Sequence, residues 1–301
     1  MENNTPKKES IGDALNNYKN ASKSETESNP VINASIPKIQ PFNQNDFEKT
    51  MSKETDPDLM TSYEIIKLPS KGLFYNNGIS EVAVEYMTSK DEDLLTTPSL
   101  IENGTVLDIL LRRKIKTPNV AIKDLLAGDR NAILLFLRTS SYGADYTVQV
   151  TDPRSGIPFT TKVDLLRLTY KELTEFPDAK GHFLVQIPMR KKSVVFRLLT
   201  SGEDISIDNQ AKAIQEAYGE EFSQNNTLKL KASIVSINDN MDRSYIDKFV
   251  DAMPALDAYT IRRKISDVSP NVNMSYEFVA NDGYKFFASL TVGIDFFFPN
   301  T

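Results

Sequence analysis

Hydrophobic positions along this chain change period wherever turn residues fall, and the densest run of such signals lies between Asn119 and Leu165. Ile122, Leu125 and Leu126 fall at i, i+3 and i+4, one face of a short helix. Gly128 is placed to end that helix and Asp129 to cap the next. In that second helix Ile133, Leu134, Leu135, Phe136 and Leu137 cover most of the circumference, which predicts burial on nearly all sides. Beyond Tyr142-Gly143 the period falls to that of a strand. Tyr146, Val148 and Val150 alternate, Asp152-Pro153-Arg154-Ser155-Gly156 turns, and Ile157, Phe159, Val163 and Leu165 resume the alternation.

The flanking segments follow the same rules. Residues 1–55 are rich in Asn, Ser, Lys, Glu and Pro with scattered apolar positions, too few to offset the entropy of ordering, so an extended arm that folds on partners is expected. Ile65 to Leu68 reads as a strand, Pro69-Ser70-Lys71-Gly72 as a turn, and Val82, Val84 and Tyr86 as a further strand. Leu94-Leu95, Ile101 and the run Val106 to Ile115 read as helices. Phe183, Val185 and Ile187, then Val195, Arg197 and Leu199, form a second hairpin around Arg190-Lys191-Lys192. Thr200 to Asp204 supplies capping residues, and Ala211, Ile214, Tyr218 and Phe222 mark one face of a helix. Leu228 to Ile237 fits helix or strand, with helix preferred; Asp242 caps a helix that Pro254 ends, and another helix runs on to stop before Pro270. Met274, Tyr276, Phe278 and Ala280, the Asn281-Asp282-Gly283 turn, and Tyr284, Phe286, Leu290 and Val292 make a closing hairpin. The apolar Phe296-Phe297-Phe298 that follows either packs into the core or contacts a partner. The fold class is therefore α+β, with helical segments and several antiparallel hairpins.

Composition narrows the chemistry. A length of 301 residues allows one large domain or two modest ones. We divide it into the arm 1–55, an α+β part 56–180, and a part 181–301 that can pack with it as one domain. A net charge of −6 and a pI near 5.1 supply no broad cationic surface, so nucleic acid is not the expected ligand. The basic runs Arg112-Arg113-Lys114 and Arg190-Lys191-Lys192 read as solvated surface. There is no cysteine, which removes disulfides and thiolate metal sites and fits synthesis in a reducing cytoplasm. No apolar run reaches the ~20 residues of a membrane span, and MENNTPKKES has no hydrophobic segment behind its charges, so neither a membrane nor a secretory route is expected.

Candidate catalytic groups are few. Ser70-Lys71 has the composition of a nucleophile and its base, but adjacent side chains on an extended chain face opposite ways, and a turn is the better reading. Asp91-Glu92-Asp93 reads as an acidic turn serving capping and solvation rather than a cation site. One histidine leaves little scope for imidazole acid–base chemistry. A carboxylate-based hydrolase would need two acids ~5–10 Å apart in a cleft. No catalytic residue, metal site or cofactor is assigned.

The order of several motifs carries a resemblance. LPSKGLFY at Leu68 to Tyr75, DEDLLTTP at Asp91 to Pro98, GDRNAILLFLRTSSYGADY at Gly128 to Tyr146, FRLLT at Phe196 to Thr200, MDRSYIDKF at Met241 to Phe249 and the closing FFFP are similar to the baseplate hub assembly family of T-even-like contractile-tailed phages. The resemblance spans roughly residues 60 to 300. It implies a non-enzymatic virion protein of the tail or baseplate that contacts other tail or baseplate proteins in an oligomeric assembly. A transient tail-assembly or tape-measure chaperone, with a helix-binding groove between Ala211 and Ser266, is the alternative, and a carboxylate hydrolase the second.

The resemblance also implies paired cysteines in two hairpin turns, in the manner of a zinc ribbon. Here those turns hold Asp152, Pro153 and Gly156, and Asn281, Asp282 and Gly283. They are expected to form a metal-free ribbon-like unit of Asx turns and packed aromatic rings, with the two hairpins side by side. Phe296, Phe297 and Phe298 are the candidate partner contacts.

Overall fold

The computed structural model describes residues 62–219, 224–280 and 282–298. Residues 1–55, Phe222 and Asn281, on which expectations fell, lie outside them. Among the described residues the fold is α+β, with eight α-helices, nine strands and four small antiparallel sheets.

Strands β1 (Tyr63–Lys67) and β2 (Glu81–Glu85) pair with Ile66 opposite Val82. Three short helices follow: α1 (Ser89–Leu95), α2 (Pro98–Glu102) and α3 (Val106–Lys114). Thr88 donates from both its N–H and its hydroxyl to the Asp91 carboxylate at 2.9 and 2.8 Å, which holds the first turn of α1. Asp91 is thus a capping residue, but it lies in a helix rather than a turn and is fully buried. Lys114 is buried with it at 2.6 Å and also reaches Glu85 at 3.1 Å, so neither charge is the solvated surface their runs suggested. A buried charge tolerates its desolvation only when paired and hydrogen-bonded, and a sequence run does not reveal a partner from another element.

The opening stretch departs from its helical reading. Ile122–Asp124 is one 3₁₀ turn, Leu125 and Leu126 are extended, and α4 runs from Ala127 to Tyr142. Gly128 and Asp129 are therefore inside the first turn of α4, not a C-cap and an N-cap. Gly128 is there because of crowding: a Cβ on it would stand 2.0 Å from the Pro270 carbonyl oxygen. Ile133, Leu134 and Leu137 are fully buried, while Leu135 and Phe136 are partly so. Gly143, at φ +79°, then turns the chain into β3 (Asp145–Thr151), paired with β4 (Pro158–Asp164) so that Tyr146 faces Val163.

In the middle of the chain β5 (His182–Ile187), β6 (Lys192–Arg197) and β7 (Ile234–Ile237) form a three-stranded sheet in that order. Between β6 and β7 run α5 (Ser201–Tyr218) and α6 (Asn225–Ser233). Thr200 and Glu203 form the capping box of α5, as the capping residues there indicated. The stretch Leu228–Ile237 is divided: helix to Ser233, then a strand in which Ile234 and Ile237 complete the sheet. The buried phase of β6 is Val194 and Phe196, continued by Leu198, rather than Val195, Arg197 and Leu199. Adjacent valines make both phases apolar, and pairing with β5, which sets Phe196 opposite Phe183, decides between them. Asp242 caps α7 (Arg243–Asp251), α8 spans Ala255–Val268, and β8 (Ser275–Val279) pairs with β9 (Lys285–Ser289).

The largest core cluster joins both ends of the described chain, with Leu110, Leu134, Val163 and Leu165 against Phe278, Phe286, Phe296 and Phe297. A second cluster gathers Ile187, Val194, Ile234, Phe249 and Ile261. A third, with Leu126, Phe183, Phe196 and Val268, is packed by Tyr75, which also packs on the first.

Candidate functional site

The two hairpin tips singled out by sequence meet. Arg154 donates to Asp282 at 2.6 Å and approaches Asp152 at 3.5 Å, and its guanidinium lies 3.6 Å from the centroid of the Tyr284 ring. Deeper in the same contact Phe159 and Phe286 meet edge to face at 6.2 Å. Each tip is an Asx turn: Asp152 accepts from the Arg154 N–H at 2.9 Å and Asp282 from the Tyr284 N–H at 3.1 Å. Gly156 and Gly283 take φ +69° and +88°, the left-handed conformations these turns require. Pro153 occupies the first turn in between.

The charges of the tips are matched. The Arg154 backbone N–H, then the Ser155 side chain and the Arg154 guanidinium, hold the Asp152 carboxyl below the ordinary carboxylate range. The Tyr284 N–H, and after it Arg154, does the same for Asp282. Arg154 in turn is raised, chiefly by Asp282. A side-chain cation bridges the two carboxylates. Sequence reading placed the two aspartates but passed over Arg154, because nothing in a DPRSG turn indicates where its guanidinium reaches.

A second constellation joins two of the motifs that carry the resemblance. In the LPSKGLFY loop the Ser70 N–H donates to Asp129 Oδ1 at 2.9 Å, and the Tyr75 hydroxyl donates to Asp129 Oδ2. The Leu126 N–H donates to the same hydroxyl at 2.9 Å. Burial raises the Asp129 carboxyl, only partly offset by these donors. Burial, then the charge of Asp129, pushes the Tyr75 phenol well up. Ser70 therefore contributes its backbone N–H from a buried position, and the turn reading stands.

A family described as T4 bacteriophage base plate protein matches residues 60–287. The chain belongs to that family. No curated protein and no solved structure matches the chain.

Membership in this base plate family implies a place in the virion tail beside other tail or baseplate proteins. No helix among the described residues is long and apolar enough to cross a membrane. The matched span includes both hairpin tips and the Ser70–Tyr75–Asp129 junction. It stops short of Phe296 and Phe297, which are fully buried. There the Arg138 Nε donates to the Phe296 carbonyl at 2.7 Å and the Phe296 ring meets Tyr146 edge on. They serve the core and have no free surface for a partner, whereas Phe298 is half-buried beside them.

Sequence reading also missed an open cleft of about 1040 Å³ whose lining includes Asn131, Lys171, Lys229, Arg262 and Leu290. Two acids, Glu172 and Asp204, also line it, and Asp204 is held by Lys229 at 3.3 Å. Helices α6 and α8, within the stretch considered for a helix-binding groove, form part of its wall.

Proposed function

We propose that this base plate family protein works non-enzymatically in baseplate hub assembly, through contacts with other tail proteins in the virion. The observation that carries the reading is the family match across residues 60–287, which takes in nearly all the described elements. The use of the buried polar side chains supports it. Asp129 ties a loop to α4, Asp257 accepts from the Met189 and Arg190 N–H groups, and Arg138 holds the C-terminal turn. Each braces backbone against backbone, as a rigid assembly part requires.

The metal-free ribbon-like pairing of the hairpins belongs to the same proposal, with Arg154 supplying the positive charge between Asp152 and Asp282. So does the arm 1–55, proposed to wrap neighbours while residues 56–180 and 181–301 form the body. The deciding experiment is a null allele of this gene in its phage. It is expected to abolish complete baseplates, with restoration when the full chain is supplied in trans. Normal baseplates without the chain would overturn the role. Accumulation in assembly intermediates and loss from finished particles would instead favour a transient assembly factor.

A further inference from the structure

The outer face of the closing hairpin carries a pattern that matches itself. The residues of β8 and β9 that point away from the core are Ser275, Glu277 and Val279 on one strand and Lys285, Phe287 and Ser289 on the other, all exposed. Their register sets Glu277 opposite Phe287 and Val279 opposite Lys285. Phe287 is 72 % exposed and Val279 51 %, although the reverse face of the same hairpin is packed into the core through Phe278 and Phe286. Val279 and Phe287 are diagonal neighbours on this face, within side-chain reach of each other. The two apolar groups occupy one diagonal of the four-residue array, and the two charges, Glu277 and Lys285, which pair with each other at 3.4 Å within the chain and would exchange partners between copies, occupy the other.

We propose that this face binds a second copy of the same chain about a two-fold axis along the Val279–Phe287 diagonal. Rotation about that line sets Phe287 on Phe287 and Val279 on Val279 of the second copy. It brings Glu277 over Lys285, and Lys285 over Glu277, as an isologous contact demands. The charges then alternate in sign around the apolar centre. The other in-plane axes fail. One along the strands sets Glu277 on Phe287 and Lys285 on Val279. One across them sets Glu277 on Val279 and Lys285 on Phe287. One along the charged diagonal faces Glu277 with Glu277. Spacings of ~5 Å across the strands and ~6.7 Å along them make the two hairpins cross at roughly 75°, within the orthogonal class of sheet packing. Two strands of five residues are too small for the ~1,200 Å² of a standard interface, so the contact belongs to the weak, transient class. Copies held side by side in a larger assembly would strengthen it through effective concentration.

The test uses the full chain, whose lack of cysteine lets a single introduced thiol report its own neighbours. Phe287→Cys and Val279→Cys, both on the axis, are expected to form homodisulfides under mild oxidation. Ser275→Cys, exposed on the same face but a row further out, is expected to cross-link roughly ten-fold more slowly. In sedimentation at high protein concentration, Glu277→Lys and Lys285→Glu should each weaken self-association at least about ten-fold by setting like charges face to face. An equimolar mixture of these two variants should associate again, and circular dichroism should show all of them folded. A wild-type chain that stays monomeric would overturn the proposal. So would equal cross-linking of all three cysteines, or a mixture no more associated than its components.

Discussion

Arg154 and Asp282, 128 positions apart in sequence, form a 2.6 Å ion pair that joins the tips of two hairpins. Removing the guanidinium by Arg154→Ala is expected to raise the Asp282 carboxyl toward its ordinary value without reaching it, because the Tyr284 N–H still donates to it. An NMR titration of Asp282 reads this directly. The sign follows from linkage: the folded-state value is depressed, so its contribution to stability is present above the ordinary carboxylate range and is lost as pH falls through the lower value. The acid limb of the stability profile should be shallower in the variant. An Asp282 titration unchanged by Arg154→Ala would mean the tips do not meet in solution.

Tyr75→Phe should destabilise the protein by ~1–3 kcal/mol, because the Leu126 N–H and one Asp129 oxygen lose a buried partner together. Urea unfolding with an unchanged m-value measures it. Asp129 itself has the opposite pH behaviour to Asp282. Its folded-state value is raised, so its contribution is fullest below the ordinary carboxylate value and declines as pH rises through the raised one. Asp129→Asn should flatten that decline. A variant whose stability falls over the same pH interval as the wild type would assign the slope to another group.

Gly128→Ala tests the close approach of α4 to the segment at Pro270. In an exposed helix this change stabilises by up to ~1 kcal/mol. Here the new Cβ would stand 2.0 Å from the Pro270 oxygen and 2.7 Å from the Asn271 Cα, both backbone atoms, so a loss of ~1–3 kcal/mol is expected. Gain of stability in thermal unfolding would show that the two segments do not touch.

Arg138→Met should free the C-terminal turn while keeping the side-chain volume. The guanidinium donates to the carbonyls of Phe296, Gly143 and Asp145, and it lies by the rings of Tyr142 and Tyr146. Amide hydrogen exchange is expected to rise at Phe296 and Phe298 before it rises in β8 and β9. Protection that falls uniformly would show a global rather than a local effect.

These variants also indicate where sequence legibility ended. The hairpins were readable because alternation and turn chemistry are local: Tyr146 to Leu165 and Tyr276 to Val292 need no knowledge of the rest of the chain. The roles of Asp129, Lys114 and Arg138 were not, because each depends on a partner brought in by another element. Gly128-Asp129 has the residue types of a cap, yet Gly128 answers to Pro270 and Asp129 to Ser70 and Tyr75. The phase of β6 was ambiguous for a different reason. Val194 and Val195 offer two apolar faces, and only Phe183 across the sheet selects one. At the tips, sequence marked Asp152 and Asp282 as turn residues, but the cation between them is visible only once the turns are in space.

Quantitative mass spectrometry of purified tails and of isolated baseplates, with their assembly intermediates, tests the central claim most directly. The account predicts that the chain co-purifies with baseplates at a constant ratio to their other subunits. Its absence from baseplates and intermediates alike would contradict it.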